Sequence, residues 1–154
     1  MFKFLKNINE KRNAKLLEEA KNKLGTDEKI IFHVDGIIDT AIGNNATITN
    51  ALLIATDYRI FVYAKHMLGS QEEYESFYYN NINSLSYLKE SILALKFFPY
   101  KIAITTSNST FVFRSGRNEK EMQEMARYAN DKIIEATENE KIFFNFIFYF
   151  YLNL

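Results

Sequence analysis

Apolar residues are most concentrated between Asn50 and Lys65, in the stretch NALLIATDYRIFVYAK. Residues 51–55 form an apolar run that is too short for an ordinary helix, and residues 60–63 are β-branched or aromatic, which favours a strand. The Asp57 side chain is expected to hydrogen-bond the backbone just ahead of it and so form a tight turn. Both strands are apolar on both faces, so Ile54 and Val62 should be buried. One face should meet a core and the other a cover such as a helix.

Shorter segments on either side predict the rest of a β-rich domain. Further strands are expected over residues 28–42, 72–79, 82–89, 101–106 and 109–114. Gly36 should mark a bulge in the first strand, and Asn80-Asn81 should join the fourth and fifth strands as a tight hairpin. Seven short strands at this spacing indicate an antiparallel sandwich or open barrel.

Two amphipathic helices are predicted to flank the strands. Asn7 and Glu10 have capping-box spacing, and a helix over 8–24 should end at Gly25 in a left-handed conformation. Its apolar stripe consists of Leu16, Leu17, Ala20 and Leu24. Asn118 and Glu121 repeat the capping spacing before a helix over 119–137 that should close one end of the barrel. The stripe of this helix consists of Met122, Met125, Ala126, Ala129 and Ile133.

Composition excludes several functional classes. The 19 basic and 19 acidic residues balance, so no global field attracts nucleic acid, which we do not expect as a partner. The absence of cysteine excludes disulfides, cysteine–zinc sites and thiol catalysis. Residues 1–6 lack the apolar core of a signal peptide, and we expect a cytoplasmic location.

Two motifs carry a family resemblance. LLIATDYRIFVYAK and the stretch from Phe77 to Leu85 resemble the strand signatures of the YokE-like bacterial pleckstrin-homology (PH) domains. The likeness extends over roughly residues 10–137. It implies a mainly β fold with flanking helices: an antiparallel PH-like seven-stranded barrel capped by a C-terminal α-helix, plus an N-terminal amphipathic helix. We expect an N-terminal helical extension over 1–27, a PH-like domain over 28–138 and a hydrophobic tail over 139–154.

The resemblance does not carry lipid recognition with it. Lipid-binding PH domains of eukaryotes are similar in outline and use basic residues in the first loop between strands. Residues 30–58, which include that loop, contain no lysine or arginine. Because a fold does not by itself confer a function, selective phosphoinositide binding is not expected.

A basic and aromatic surface on strands five to seven is the first candidate site. Its candidate ligand-binding residues are Lys89, Lys96, Lys101, Arg114 and Arg117, and the aromatic side chains among them are Phe97, Phe98 and Tyr100. Such a surface suits an anionic lipid headgroup or nucleic acid. The alternative is a solvated face whose charges keep strand edges from pairing.

No constellation of residues predicts catalysis. His33 and Asp35 share one face of the first strand, but two ligands leave a tetrahedral metal site half empty. His66 has no carboxylate or nucleophile at a recognisable spacing, and no phosphate-binding loop or hydrolase motif is present. We expect no enzyme activity, no cofactor and no metal.

The tail over 142–154 is almost entirely aromatic or aliphatic. As a helix it measures about 20 Å, against about 30 Å for a bilayer core, so it is too short to span. We expect it to turn back and to cover apolar surface on this domain, at the 90–100 loop, or on a second copy. The predicted interaction surface consists of Phe144 and Phe148 of the tail with Phe97, Phe98 and Tyr100. A membrane-interface anchor is the alternative.

These observations predict a non-catalytic PH-like binding module. We expect its partner to be a protein, with a homo-oligomer and a membrane surface as further candidates. Anionic lipid or nucleic acid bound through the basic face is the alternative function.

Overall fold

Two helices and seven strands form the described part of the protein. The computed structural model describes residues 2–39, 50–65, 72–90 and 97–152. The helices are α1 (Phe2–Lys21) and α2 (Glu119–Leu152). The strands are β1 (Ile30–Ile38), β2 (Asn50–Thr56), β3 (Arg59–Lys65), β4 (Glu72–Tyr78), β5 (Ile82–Lys89), β6 (Tyr100–Thr106) and β7 (Thr110–Ser115). The seven strands and both helices confirm the predicted PH-like architecture, while His66 lies outside the described residues.

The strands form one antiparallel sheet in the order β4-β3-β2-β1-β7-β6-β5. Because β4 and β5 lie at opposite ends of this order, the predicted Asn80-Asn81 hairpin is wrong. A single turn of 3₁₀ helix over Tyr79–Asn81 connects the two strands instead. Its Tyr79 ring is buried, and the Tyr79 hydroxyl donates a 2.7 Å hydrogen bond to the Thr56 carbonyl on β2. This anchor fixes the path of the chain from one end of the sheet to the other.

The inner face of the sheet encloses the main core. Phe77 on β4 and Phe111 on β7 have ring centroids 5.2 Å apart, so the sheet curls until distant strands meet. Burial of Val62 confirms its predicted place in this core, and α2 closes the core with Met122 and Met125. The other fully buried members with no more than 1% exposure are Val34, Ala51, Leu53, Ala55, Ile60, Ala64, Ile102, Ile104, Phe113 and Ala129.

The outer face of β2 and β3 is covered by α1, as the doubly apolar strands require. Leu16 and Ala20 of α1 are buried there. They pack against a second apolar cluster formed by Leu52, Ile54, Phe61 and Tyr63. The Glu19 carboxylate of α1 forms an ion pair with the Lys65 ammonium at the end of β3, at 3.0 Å. The second half of the helix is therefore held by apolar contact with β2 and β3 and by charge at the strand end.

The β2–β3 turn is organised by Thr56 rather than by the predicted Asp57 interaction. The Thr56 hydroxyl oxygen accepts the backbone N–H groups of Tyr58 and Arg59 at 3.2 and 3.0 Å. The Asp57 carboxylate accepts the Lys29 N–H at 2.8 Å and so ties the turn to the start of β1. A hydroxyl with two lone pairs caps the turn, and the carboxylate is left to make a long-range contact.

A buried ion pair joins the start of β1 to the same turn. Arg59 donates from Nε and Nη2 to the two Glu28 oxygens, each at 2.8 Å. Burial raises the pKa of Glu28, but hydrogen bonds from Arg59, from the Gly25 N–H and from Thr56 outweigh it and lower the pKa to about 2. The bidentate arrangement is the stronger kind of charge-assisted hydrogen bond.

Two of the predicted glycine roles and one predicted helix start are wrong. α1 begins at Phe2, so Asn7 and Glu10 lie inside it and do not start it. α1 ends at Lys21, and Gly25 is not left-handed; its N–H instead donates to Glu28 at 2.9 Å. The irregularity in β1 falls at residues 30–32, and not at Gly36.

Gly36 has a different role, because β7 passes very close to it. A Cβ built at Gly36 would lie 2.1 Å from the Arg114 carbonyl oxygen and 2.6 Å from the Phe113 ring. Since real Cβ atoms do not approach that closely, only glycine allows β1 and β7 to pair at this point.

The start of α2 confirms the predicted position. Asn118 precedes the helix with φ 63°, and its carbonyl accepts the Met122 N–H at 2.9 Å. Its side-chain amide donates to the Asp35 carboxylate at 3.2 Å, across to β1. The end of α2 differs from the prediction, because the helix continues from residue 137 to Leu152 without a break.

We predict that Gly36→Ala lowers the free energy of unfolding by about 3 kcal/mol, because the added methyl overpacks the β1–β7 crossing. Gly25→Ala is the matched control, since its Cβ would meet only Glu28 at an ordinary 3.6 Å. Urea denaturation measures both variants. Equal midpoints for the two variants would show that β1 and β7 are not this close.

We also predict a pH signature for the Glu28–Arg59 pair. The pKa of Glu28 lies below its ordinary 4.5 in the folded protein, so the pair stabilises above pH 4.5 and its contribution is lost as pH falls toward 2. Glu28→Gln should remove about 3 kcal/mol at neutral pH and flatten the pH dependence of stability in that window. Urea titrations at several pH values test this, with Glu18→Gln in the exposed Lys21 pair as control. Parallel profiles for wild type and Glu28→Gln would contradict it.

Candidate functional site

Three of the five predicted ligand-binding cations are held by carboxylates within the protein. Lys89 at the end of β5 contacts Glu119 at 3.1 Å, and Lys101 on β6 contacts Glu90 at 2.9 Å. Arg114 on β7 also contacts Glu90, at 2.8 Å. Lys96 lies outside the described residues. The predicted basic face is therefore largely neutralised by residues of the same chain.

Arg114 is a buried structural residue and not a surface cation, because its side chain is only 5% exposed. Its Nε donates to Asp39 at 2.6 Å, and its Nη2 donates to Glu90. Nη1 has no hydrogen-bond partner among the described residues. A charge this enclosed binds β1, the end of β5 and β7 together, and it is not available to an external ligand.

The cations of this region lower the pKa of the carboxyl groups that they contact. Hydrogen bonds from Lys101 and then Arg114 lower the pKa of Glu90, and hydrogen bonding from Lys89 lowers the pKa of Glu119. Both carboxyl groups therefore stay charged, and keep their ion pairs, to a lower pH than ordinary carboxyl groups would. The cations and carboxylates of this network therefore pair with each other within the chain.

Tyr100 also has a structural position. Its ring is half-buried and packs against the main core, with the Lys89 ammonium 5.4 Å from the ring centroid. The membership of Tyr100 in an interaction surface stays a prediction. The residue contributes to the wall of the sheet.

Arg117, Phe97 and Phe98 come together at a different place, a cleft beside α1. The cleft has a volume of about 370 Å³. We call this site the α1 cleft. It is lined by Arg12, Asn13, Asp35, Gly36, Asn50, Phe97, Phe98, Gly116 and Arg117. Residues from α1, β1, β2 and two connections therefore meet at one concave surface.

The turn that carries Arg117 at the α1 cleft is fixed by a side-chain hydroxyl and by a close backbone contact. The Ser115 hydroxyl lies 2.9 Å from the Asp35 carbonyl and 2.8 Å from the Arg117 carbonyl, and it accepts the Arg117 N–H at 3.2 Å. A Cβ at Gly116 would lie 2.1 Å from the Phe97 carbonyl oxygen, so only glycine lets the two connections touch. Arg117 is thus presented from a rigid turn.

Sequence reasoning did not find Arg12, Asn13 or Asn50 as members of this cleft. Asn13 lies in line with the apolar stripe of α1, one turn before Leu16, and Arg12 flanks that line, but a polar residue at either place gives no sign of a cleft. Asn50 begins β2, and its amide oxygen lies 3.4 Å from Arg12 Nη2. No spacing in the sequence indicates which strand this part of α1 meets.

The aromatic end of α2 is the second candidate surface, and its placement corrects an expectation. The tail does not turn back over the domain; it continues α2 as helix to Leu152. Phe144 is 67% exposed and Phe148 is 66% exposed. Ile142, Phe143, Phe146 and Tyr149 are exposed to a similar degree, and Ile147 is half-buried. Residues 142–149 are called the aromatic segment below.

The described residues contain neither a membrane-spanning helix nor a metal-binding cluster. Within those ranges, no helix is long and apolar enough to cross a membrane. The same residues hold no group of three histidine, cysteine or acidic side chains close enough to bind a metal ion.

Comparison with known proteins places the chain among PH domains. The family model of the bacterial PH domain matches residues 24–131, without distinguishing the YokE-like members. No curated protein sequence matches. The hSac2 domain of the human phosphoinositide phosphatase Sac2 is similar in structure, with a TM-score of 0.51 at 15% identity, over 85% of this chain and 84% of that chain. At this identity the likeness shows the fold alone.

Two solved structures from Shewanella are also similar. The pleckstrin homology domain from Shewanella amazonensis is 18% identical, with a TM-score of 0.49 over 75% of this chain and 96% of that one. A protein with a pleckstrin-homology domain from Shewanella loihica is 12% identical, with a TM-score of 0.48 over 75% and 90% of the two chains.

We predict that two arginines three residues apart contribute very differently to the free energy of unfolding. Arg114→Gln should lower the free energy of unfolding by about 3–5 kcal/mol, because it leaves Asp39 and Glu90 without their buried cation. Arg117→Gln should change it by less than about 0.5 kcal/mol, since Arg117 is exposed. Chemical denaturation measures both. Similar losses of stability in the two variants would refute the structural role given to Arg114.

Proposed function

The chain belongs to the bacterial PH domain family, and we propose that it is a non-catalytic module that binds protein through the aromatic segment of α2. The observation that supports this most directly is the exposure of that segment. Six of its side chains are 60–69% exposed. Monomeric proteins rarely leave a contiguous apolar patch of this kind in contact with water, so such a patch marks a surface that a partner covers.

The helix offers this surface at a distance from the core. Among the described side chains of α2, Ile133 and Ala136 are the last that pack against the core cluster. The 16 residues that follow, to Leu152, extend the helix by about 24 Å. A partner can therefore contact the aromatic segment without competing with α2 for the sheet.

The charges near the aromatic segment favour protein over an anionic membrane. Glu138 and Glu140 are exposed just before it, with Lys141 as the nearby cation. Residues 142–152 contain no charged residue. A helix that lies in a membrane interface needs a polar face rich in lysine or arginine, and this one has none. A helix that is apolar all round is stable when other apolar side chains enclose it.

The amount of exposed apolar surface suits a second copy of the chain. An aromatic side chain offers roughly 150–250 Å², so the five exposed aromatic side chains, together with the smaller Ile142, present roughly 600–1,000 Å² per copy. Two copies together would bury roughly 1,200–2,000 Å², which is the range of a specific, stable interface. Self-association through the aromatic segment is the form of protein binding that we propose.

The basic face of strands five to seven supports an anionic ligand less well. Lys89, Lys101 and Arg114 are each paired with a carboxylate of this chain. Recruiting these cations to a lipid headgroup or to nucleic acid would leave Glu119, Glu90 and Asp39 without partners. Arg117 is the described member of the set that is not engaged in this way, and it belongs to the α1 cleft.

We predict that the full chain sediments as a dimer or larger assembly, and that Phe144→Glu combined with Phe148→Glu converts it to a monomer. Each introduced carboxylate would have to be desolvated in the interface, which costs several kcal/mol. Analytical ultracentrifugation measures the mass, and circular dichroism checks that the fold is retained. Leu88→Glu on β5 is the matched control, because Leu88 is 46% exposed and lies outside α2.

Vesicle flotation tests the competing possibility, that the aromatic segment anchors the protein to a membrane. A wild-type protein that is monomeric in solution but floats with phosphatidylcholine–phosphatidylglycerol vesicles, and loses flotation in the double variant, would make the segment a membrane anchor and end the proposal. Assembly that persists unchanged in the double variant would also overturn it.

A further inference from the structure

We propose that the α1 cleft binds a small organic anion, with Arg12 and Arg117 holding its oxyanion and Phe97 and Phe98 contacting its apolar or aromatic body. The inference is independent of the role given to the aromatic segment of α2. It concerns a site that family membership does not assign, because α1 (Phe2–Lys21) precedes the matched region 24–131.

The first observation is the state of the two guanidinium groups. In the described ranges, neither Arg12 nor Arg117 has a carboxylate within ion-pair distance, and Arg12 has only a long 3.4 Å contact to the Asn50 amide oxygen. Arg59 and Arg114, by contrast, are each paired with carboxylates at 2.8 Å or less. Two cations of the same cleft are thus open to a ligand, and planar guanidinium groups match carboxylate and phosphate oxygens.

The second observation is the fate of the acidic residue in the same lining. Asp35 accepts a 3.2 Å hydrogen bond from the Asn118 side-chain amide and so has a partner of its own. Among the described lining residues, two arginines and one aspartate give a net positive charge. The amides of Asn13 and Asn50 add neutral donors beside the arginines. The lining is therefore suited to an anion and not to a cation.

The third observation is the combination of size, rigidity and apolar surface. A volume of about 370 Å³ falls within the range of small-molecule sites. Phe97 is 82% exposed at the rim, and Phe98 is half-buried in the lining. The Ser115 hydrogen bonds and the close contact at Gly116 hold the Arg117 turn against the Phe97 connection. A site that is already formed loses little entropy on binding.

Carboxylate and phosphate share this chemistry, and the experiment separates them. Isothermal titration calorimetry and amide chemical-shift perturbation on the full chain would use phenyl phosphate, benzoate, inorganic phosphate and the neutral analogue benzyl alcohol. We expect saturable binding of phenyl phosphate or benzoate, with the better of the two naming the oxyanion. Inorganic phosphate should bind more weakly, because it lacks the apolar body. Benzyl alcohol should not saturate.

Variants test the assignment of residues. Arg12→Gln and Arg117→Gln should each weaken binding about tenfold, the ratio that corresponds to loss of one charge-assisted hydrogen bond of about 1.4 kcal/mol. Phe97→Ala should weaken it about threefold through lost apolar contact, without touching the charges. Arg127→Gln, an exposed arginine on α2 outside the cleft, is the matched control and should leave affinity unchanged.

Three results would overturn the proposal. One is the absence of saturable binding by both aromatic anions. Another is binding that neither Arg12→Gln nor Arg117→Gln weakens relative to Arg127→Gln. The third is equal affinity for the neutral analogue. Thermal unfolding of each variant confirms that the fold is intact, and the Phe97→Ala result remains informative if Arg12→Gln perturbs α1.

Discussion

The β2–β3 hairpin is apolar on both of its faces, and the rest of the structure satisfies that constraint. Leu53 and Val62 point into the main core, while Leu52 and Tyr63 point outward, and all four are at most 1% exposed. A bare outer face would leave roughly 150–250 Å² of apolar surface in water for an aromatic residue such as Tyr63 alone. α1 covers the outer face, and α2 together with the curled sheet covers the inner one. The position of both helices follows from the composition of two short strands.

Features that depend on local pattern could be predicted, and features that depend on distant contact could not. The apolar run at 51–55 and the stripe of α2 are visible in the sequence because strand and helix periods are local. The path between β4 and β5 is not, since Asn80-Asn81 suits a hairpin equally well. What decides the path is the Tyr79 hydroxyl on the Thr56 carbonyl, 23 residues away. Likewise the sequence marks Gly36 as a break in β1, but no local pattern shows that β7 passes beside it.

The candidate sites show the same division. Arg114 and Arg117 look alike in sequence, yet Arg114 meets Asp39, 75 residues earlier, while Arg117 faces a cleft. A count of charges along the chain could not separate them, because it does not include the carboxylates that the topology brings near. The aromatic residues Phe97 and Phe98 were identified from their type alone. Their companions Arg12 and Asn50 became visible only when α1 was placed on the sheet.

The continuity of α2 also determines how a bound partner would be oriented. One unbroken helix connects the core-packed Met122 and Met125 to the aromatic segment, so it transmits direction as a rigid rod and does not act as a flexible tether. Each residue added between residues 137 and 141 would rotate everything beyond it by about 100° and displace it by about 1.5 Å. The number of residues in this connecting turn, and not their chemical identity, therefore sets how the aromatic segment and any bound partner are rotated relative to the sheet.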